Sequence, residues 1–119
     1  HHIGFVQPTD LGTFVAQGGV FILPSHKEPW GVVVHEFAAA GYPIICTTKV
    51  GAASAFVKNG MNGFVVKPKS VEEIKLIMEK IIEMSDEELV KMGEESRALA
   101  EKINVEQWVA TALQFIEKK

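Results

Sequence analysis

Apolar residues fall into two kinds of run along this chain. In the first half the runs are short and unbroken: Ile3-Gly4-Phe5-Val6, Val20 to Leu23, Pro43-Ile44-Ile45-Cys46-Thr47, and Gly63-Phe64-Val65-Val66. Without polar alternation, such runs predict strands buried on both faces, as in a parallel sheet. Between the first two, Thr9 or Asp10 can cap a short helix through about Gln17, where Gly18-Gly19 ends it. A second helix is expected over the apolar run Val32 to Ala40, closed by Gly41-Tyr42-Pro43. Strands alternating with helices predict βαβ units.

In the second half the apolar spacing becomes helical. Val71, Ile74, Ile77 and Ile81 form one stripe, Leu89, Met92, Leu99 and Ile103 a second, and Val105, Trp108, Val109, Ala112 and Ile116 a third. Three starts share one grammar, a capping residue three positions before Glu or Gln: Ser70 with Glu73, Ser85 with Glu88, Asn104 with Gln107. Helices are expected over roughly 71–84, 86–102 and 105–117. Ahead of them stand a small-residue loop, Gly51-Ala52-Ala53-Ser54, and a double turn signal in Lys58-Asn59-Gly60-Met61-Asn62-Gly63. The fold class is α/β, a partial Rossmann-like parallel sheet of about four strands with a helical C-terminal tail.

Composition narrows this picture. With 119 residues, 47% of them hydrophobic, the chain supports one core and is expected to be one domain, 1–119. A formal net charge of −3 and scattered lysines argue against a nucleic-acid partner. The single Cys46 leaves no internal disulfide and no thiolate metal cluster, which points to a reducing, cytoplasmic setting. No apolar run approaches the roughly 18 residues that a membrane span needs.

Candidate chemistry gathers in Phe21 to Gly41, where Glu28 and Glu36 stand with seven residues between them. Ser25-x-x-Glu28 has the spacing of a capping box, but Pro29 disfavours helical dihedrals at Glu28. The helix then begins around Trp30 to Val32, with free N–H groups pointing into the crevice at the carboxyl end of the Val20–Leu23 strand. A helix start in that place favours phosphate, and Gly31 allows a ligand close to the backbone. Glu36, in a helix otherwise rich in Val, Phe and Ala, is costly to bury unpaired. It calls for an internal partner or for ligand hydroxyls. His26 and His35 have no metal-ligand spacing, and His35 reads as a packed or hydrogen-bonded histidine. Cys46 reads as inert core, Trp108 as a core residue of a helix face, and Trp30 as a cover over the phosphate loop or packing beneath it.

The segment VFILPSHKEPWGVVVHEFAAAGYPII, followed by VGAASAFVKNGMNGFVV, resembles the donor-binding half of retaining glycosyltransferases of GT-B fold, the group 1 or family 4 type. Their hallmark is Glu, seven residues, Glu, between a strand ending Pro-Ser and a helix ending Gly-x-Pro. The resemblance covers about Ile3 to Lys119. It implies that Glu28 faces the transferred sugar and acts in catalysis, that Trp30, Gly31 and Val32 offer backbone N–H groups to the diphosphate, and that Glu36 accepts ribose hydroxyls. No metal or cofactor is implied; the nucleotide-diphosphate sugar is substrate.

The chain departs from the pattern in two places. Where the family has Gly-Gly-x-x-Glu, it has Gly51-Ala52-Ala53-Ser54-Ala55. The family's basic pair for the diphosphate, the leading strands and the acceptor domain or subunit are expected outside these residues. Lys27 is adjacent to the site, but a loop lysine is usually solvated. The resemblance therefore implies the donor-binding part of a nucleotide-sugar glycosyltransferase, inactive by itself. The alternative is a non-catalytic nucleotide-sugar-binding or assembly module that needs a partner subunit. An open sheet edge near Ile3–Val6 is expected to favour a homo-oligomer.

Overall fold

The computed structural model describes residues 2–117, without the side chains of Trp108, Phe115 and Glu117. The expectation for Trp108 therefore lies outside the described side chains. In chain order the elements are α1 (Pro8–Val15), β1 (Phe21–Leu23), α2 (Val32–Ala39), β2 (Ile44–Thr47), α3 (Ala53–Phe56), β3 (Gly63–Val66), α4 (Val71–Ile82), α5 (Asp86–Glu101) and α6 (Val105–Glu117).

The sheet is parallel, in the order β1-β2-β3, with Phe21 opposite Ile44 and Ile44 opposite Gly63. It has three strands where about four were expected. Ile3 and Phe5 are 57% and 85% exposed, and Ile3–Val6 forms no ladder among the described residues. A run this short holds an extended form only when neighbouring backbone takes up its N–H and C=O groups. Among the described residues the edge expected at Ile3–Val6 falls instead at β1.

Every residue of the central strand β2 is buried. Its side chains alternate between two cores, as strand geometry requires. Ile44 and Cys46 meet Val34 and Ala38 of α2, Ala53 and Phe56 of α3, and Ala100 of α5. Ile45 faces the other way, with Phe64 and Val66 of β3, Ile81 of α4 and Met92 of α5. Helices on both faces explain why the strands lack polar alternation.

Local chemistry sets the helix ends. Pro8 occupies the first turn of α1 after an extended Gln7, so Thr9 and Asp10 lie inside the helix instead of capping it. Ser85 and Glu88 form a full capping box, with Glu88 N–H to Ser85 Oγ at 3.2 Å and Ser85 N–H to Glu88 Oε2 at 2.8 Å. At Ser70 only half the box forms. Glu73 N–H donates to Ser70 Oγ, but the Glu73 carboxylate accepts from Lys67 N–H at 2.8 Å. Asn104 Oδ1 accepts from Gln107 N–H at 2.9 Å. The expected stripe on α6 is largely uncovered, with Val105, Val109 and Ile116 all exposed.

Asn62 secures the turn before β3. Fully buried, it accepts from Lys58 N–H at 2.7 Å and donates to the Phe56 carbonyl at 2.8 Å and to Ser96 Oγ at 3.0 Å. The turn is thereby tied to both α3 and α5.

Candidate functional site

The loop between β1 and α2 runs along the carboxyl end of the sheet and is stitched to the loop that follows β2. Glu28 N–H donates to the Lys49 carbonyl at 3.0 Å, Gly51 N–H to the Glu28 carbonyl at 3.1 Å, and Ala52 N–H to the Trp30 carbonyl at 2.7 Å. Glu28 and Val50 form a one-residue parallel bridge. The capping-box alternative for Ser25 and Glu28 is therefore not realised: Glu28 sits in bridged loop backbone, as Pro29 requires. Its half-buried side chain turns back on the loop, where Oε1 accepts from Trp30 N–H at 3.4 Å.

Gly31 makes the transition into α2. It is the N-cap, with φ 90° and ψ 64°, and no side chain caps the helix. This left-handed conformation suits glycine because other residues pay a steric penalty at Cβ. A Cβ here would also stand 3.1 Å from both Glu28 Cγ and Val50 Cγ1. Val34 N–H returns to the Gly31 carbonyl at 2.9 Å. The N–H groups of Val32 and Val33 precede the first intrahelical acceptor and remain open at the helix start. Of the three donors expected from the sequence, Trp30 N–H already faces Glu28, while the buried Gly31 and the exposed Val32 lie at the helix start.

Glu36 is exposed, which corrects the expectation of a carboxylate buried on α2. The reason is helical geometry. Val34 and Ala38, both at 0% exposure, define the buried face of α2, and a residue two positions from each points to the opposite side. Among the described residues, Glu36 makes no ion pair. It lies about 6 Å along the axis from Val32, by helical rise.

The aromatic residues hold α2 in place. His35 stacks on the buried Phe56 with ring centroids 4.4 Å apart and donates from Nε2 to the Ala100 carbonyl at 3.2 Å. This is the packed, hydrogen-bonded role expected for His35. Trp30 meets Phe56 edge-on at 6.5 Å and remains 48% exposed at the loop surface. Burial pushes the Cys46 thiol up to about 11, consistent with an inert core cysteine.

Two features escaped the sequence reading. One is α3, formed by residues taken as loop: Ala52 and Ala53 are buried against the core, and Ser54 Oγ donates to the Gly51 carbonyl at 3.1 Å. Gly51 has no room for a side chain, since a Cβ would collide with the Pro29 carbonyl. The other is Thr47, whose signal was a lone hydroxyl closing an apolar strand. Lys27 is exposed, and Lys49, also exposed, joins it on the adjoining loop.

A groove of about 570 Å³ lies elsewhere, between the 59–61 turn and α5, and its Glu88 is committed to the α5 cap. Among the described residues no group of three or more His, Cys, Asp or Glu side chains could hold a metal ion, and no helix is long and apolar enough to cross a membrane. The arrangement offers N–H donors suited to an anion and two carboxylates able to accept hydroxyl hydrogen bonds.

Known proteins share this arrangement of elements. Sucrose-phosphate synthase from Thermosynechococcus elongatus superimposes with a TM-score of 0.82 at 22% identity, over 98% of this chain and 29% of that one. The GT-B-like α/β fold is common to both. Glycogen synthase from Mycobacterium tuberculosis is 31% identical over 81 residues, 68% of this chain and 19% of that protein. The capsular polysaccharide biosynthesis glycosyltransferase CapM from Staphylococcus aureus is 36% identical over 81 residues, 68% of this chain and 20% of its own length. The chain thus spans about a fifth of the curated relatives it matches. The family described as glycosyl transferases group 1 matches residues 1–99, and the chain belongs to that family.

Proposed function

We propose that this chain is the nucleotide-sugar donor-binding domain of a retaining glycosyltransferase, working with an acceptor-binding domain or subunit. The observation that carries the reading is the left-handed Gly31 N-cap, which opens the start of α2 beside the Glu28 carboxylate at the end of the sheet. In an open α/β sheet ligands collect in that crevice, and a helix start stabilises phosphate.

In this reading the diphosphate lies against the N–H groups of Gly31 and Val32, with Trp30 N–H released to it when Glu28 turns to the sugar. Glu36, exposed about one turn further along α2 and without an ion-pair partner among the described residues, accepts the ribose hydroxyls. Glu28 orients the sugar hydroxyls and stabilises positive charge as the bond to the phosphate breaks. Retention follows if the acceptor attacks from the face the phosphate leaves. The donor site calls for no metal, the diphosphate charge being met by the helix start and by Lys27 and Lys49.

A second reading, a nucleotide-sugar-binding module without turnover, is favoured by Ala55, which puts a methyl where the family pattern has a carboxylate. One experiment addresses both. The chain is titrated with UDP, ADP and GDP and their glucose conjugates, read by thermal shift, because a ligand that binds only the folded state raises its apparent stability. Stabilisation by at least one pair supports a donor domain; a flat response across the panel contradicts both readings. Transfer by the chain joined to an acceptor domain then separates enzyme from module.

A further inference from the structure

The Thr47 hydroxyl, wholly buried at the carboxyl end of β2, joins the two loops that build the site. It donates to the Ser25 carbonyl at 2.6 Å, reaching across to the loop that follows β1. It accepts from Lys49 N–H at 3.2 Å, holding the turn after β2. That turn closes with Val50 N–H on the Thr47 carbonyl at 3.1 Å, and it presents the Lys49 carbonyl to Glu28 N–H. One side chain therefore fastens the segment Ser25 to Glu28 at both ends, directly at Ser25 and through Lys49 at Glu28.

Packing alone does not call for a hydroxyl here. Valine has nearly the same shape, and a buried hydroxyl is costly unless its hydrogen bonds are made. Both bonds of Thr47 go to backbone of the site loops and none to the core. Removing them would leave the lower stitches intact, Gly51 to Glu28 and Ala52 to Trp30, as well as the Gly31 cap.

We infer that Thr47 is a positioning residue of the donor site, acting through Ser25 and Lys49 to fix Glu28 relative to the start of α2. The inference rests on the donor-binding reading above. It carries a specific signature. The ligand that reaches Glu28, the nucleotide sugar, should feel the loss of Thr47, whereas the nucleoside diphosphate, held by α2, should not.

The test compares Thr47→Val and Thr47→Ser with the parent chain by calorimetric titration of UDP and UDP-glucose, with the adenosine and guanosine pairs in parallel. Amide hydrogen exchange is followed at Glu28 and Lys49. For Thr47→Val we expect affinity for the nucleotide sugar to fall about threefold to tenfold relative to the diphosphate. Exchange at Glu28 and Lys49 should quicken while Ile81 and Met92 are unchanged. Thr47→Ser, which keeps the hydroxyl, should restore both readouts. Equal weakening of both ligands, an unchanged affinity ratio, or a serine variant as impaired as the valine one would each overturn the assignment. If Thr47→Val does not fold, Thr47→Ser carries the test: retained protection and affinity ratio support the role, and loss of either defeats it. If the parent chain binds no probe, the donor-binding reading fails; protection of Glu28 in parent and serine chains but not in the valine chain would still establish the loop anchor, and its absence would remove it.

Discussion

The N–H of Trp30 lies 3.4 Å from Oε1 of Glu28, so the first donor of the turn into α2 is met by the chain's own carboxylate. A bound diphosphate competes with that contact and sits near a like charge unless Glu28 swings toward the sugar. Glu28→Gln should weaken the sugar-bearing ligand and should not weaken a nucleoside diphosphate, since it removes the like charge beside the turn. Glu36→Ala should weaken both alike. Each lost hydrogen-bond set to a carboxylate should cost about 1.5–3 kcal/mol, at least about tenfold in affinity. Because Glu36 is exposed, its substitution should shift folding stability by no more than about 0.5 kcal/mol. Titration of both ligands against both variants decides it, and identical losses for the two substitutions would contradict separate roles.

Gly31 gives a second expectation. At φ 90°, with Glu28 Cγ and Val50 Cγ1 each 3.1 Å from a built Cβ, Gly31→Ala should lose about 1–2 kcal/mol to backbone strain. Gly31→Val should lose more, since its methyl groups enter the same space. Donor affinity should fall with stability, because strain relief means moving the start of α2. Urea unfolding of the alanine variant measures this, and parent-like stability would show that the turn is not held left-handed.

His35 separates structure from ligand binding. It stacks on Phe56 and bonds the Ala100 carbonyl, which fastens α2 to α3 and to the end of α5. His35→Ala should cost roughly 1–3 kcal/mol through the lost stacking and hydrogen bond. The folded variant should bind nucleoside diphosphate as the parent does. A large affinity loss without a stability loss would instead place the imidazole at the ligand.

What was legible in the residues, and what was not, follows the range of the interactions. The starts of α4, α5 and α6 were readable because a cap and its partner sit three residues apart, as Ser85 and Glu88 do. The strands β1 to β3 were readable because burial on two faces leaves unbroken apolar runs. Glu36 was misjudged because the composition of α2 suggested burial all round, and only the packing of Val34 and Ala38 reveals which side is solvent. Ile3–Val6 has strand-like composition, but a strand exists by virtue of a neighbour. Thr47 is likewise silent in sequence, since its two partners, Ser25 and Lys49, are brought together by the pairing of β1 with β2. The loop that carries Glu28 and Gly31 was readable from a local pattern, Pro29 included, whereas the stitches from Lys49, Gly51 and Ala52 depend on the whole sheet.

Acid should loosen the helical tail first. Hydrogen bonds to Ser85, chiefly from its backbone N–H, hold the Glu88 carboxyl below the usual carboxylate range. At Glu73 the backbone N–H of Lys67 acts in the same direction, helped by the Lys67 side chain, with Nζ at 3.3 Å. A carboxyl whose folded value lies below its unfolded one contributes stability that is fully present above the unfolded value and is lost as pH falls through the folded value. The melting temperature should therefore hold near neutrality and decline once pH drops below about 4. Glu88 is exposed and Glu73 partly exposed, so the decline should be gradual and should show first at the starts of α4 and α5. A Glu73→Gln, Glu88→Gln double variant should melt lower than the parent at pH 7 and approach it in acid, because it has lost the charged forms that acid neutralises. Thermal melts by circular dichroism over that range provide the check. Curves that stay parallel at every pH would mean that these two caps do not govern the acid sensitivity of the fold.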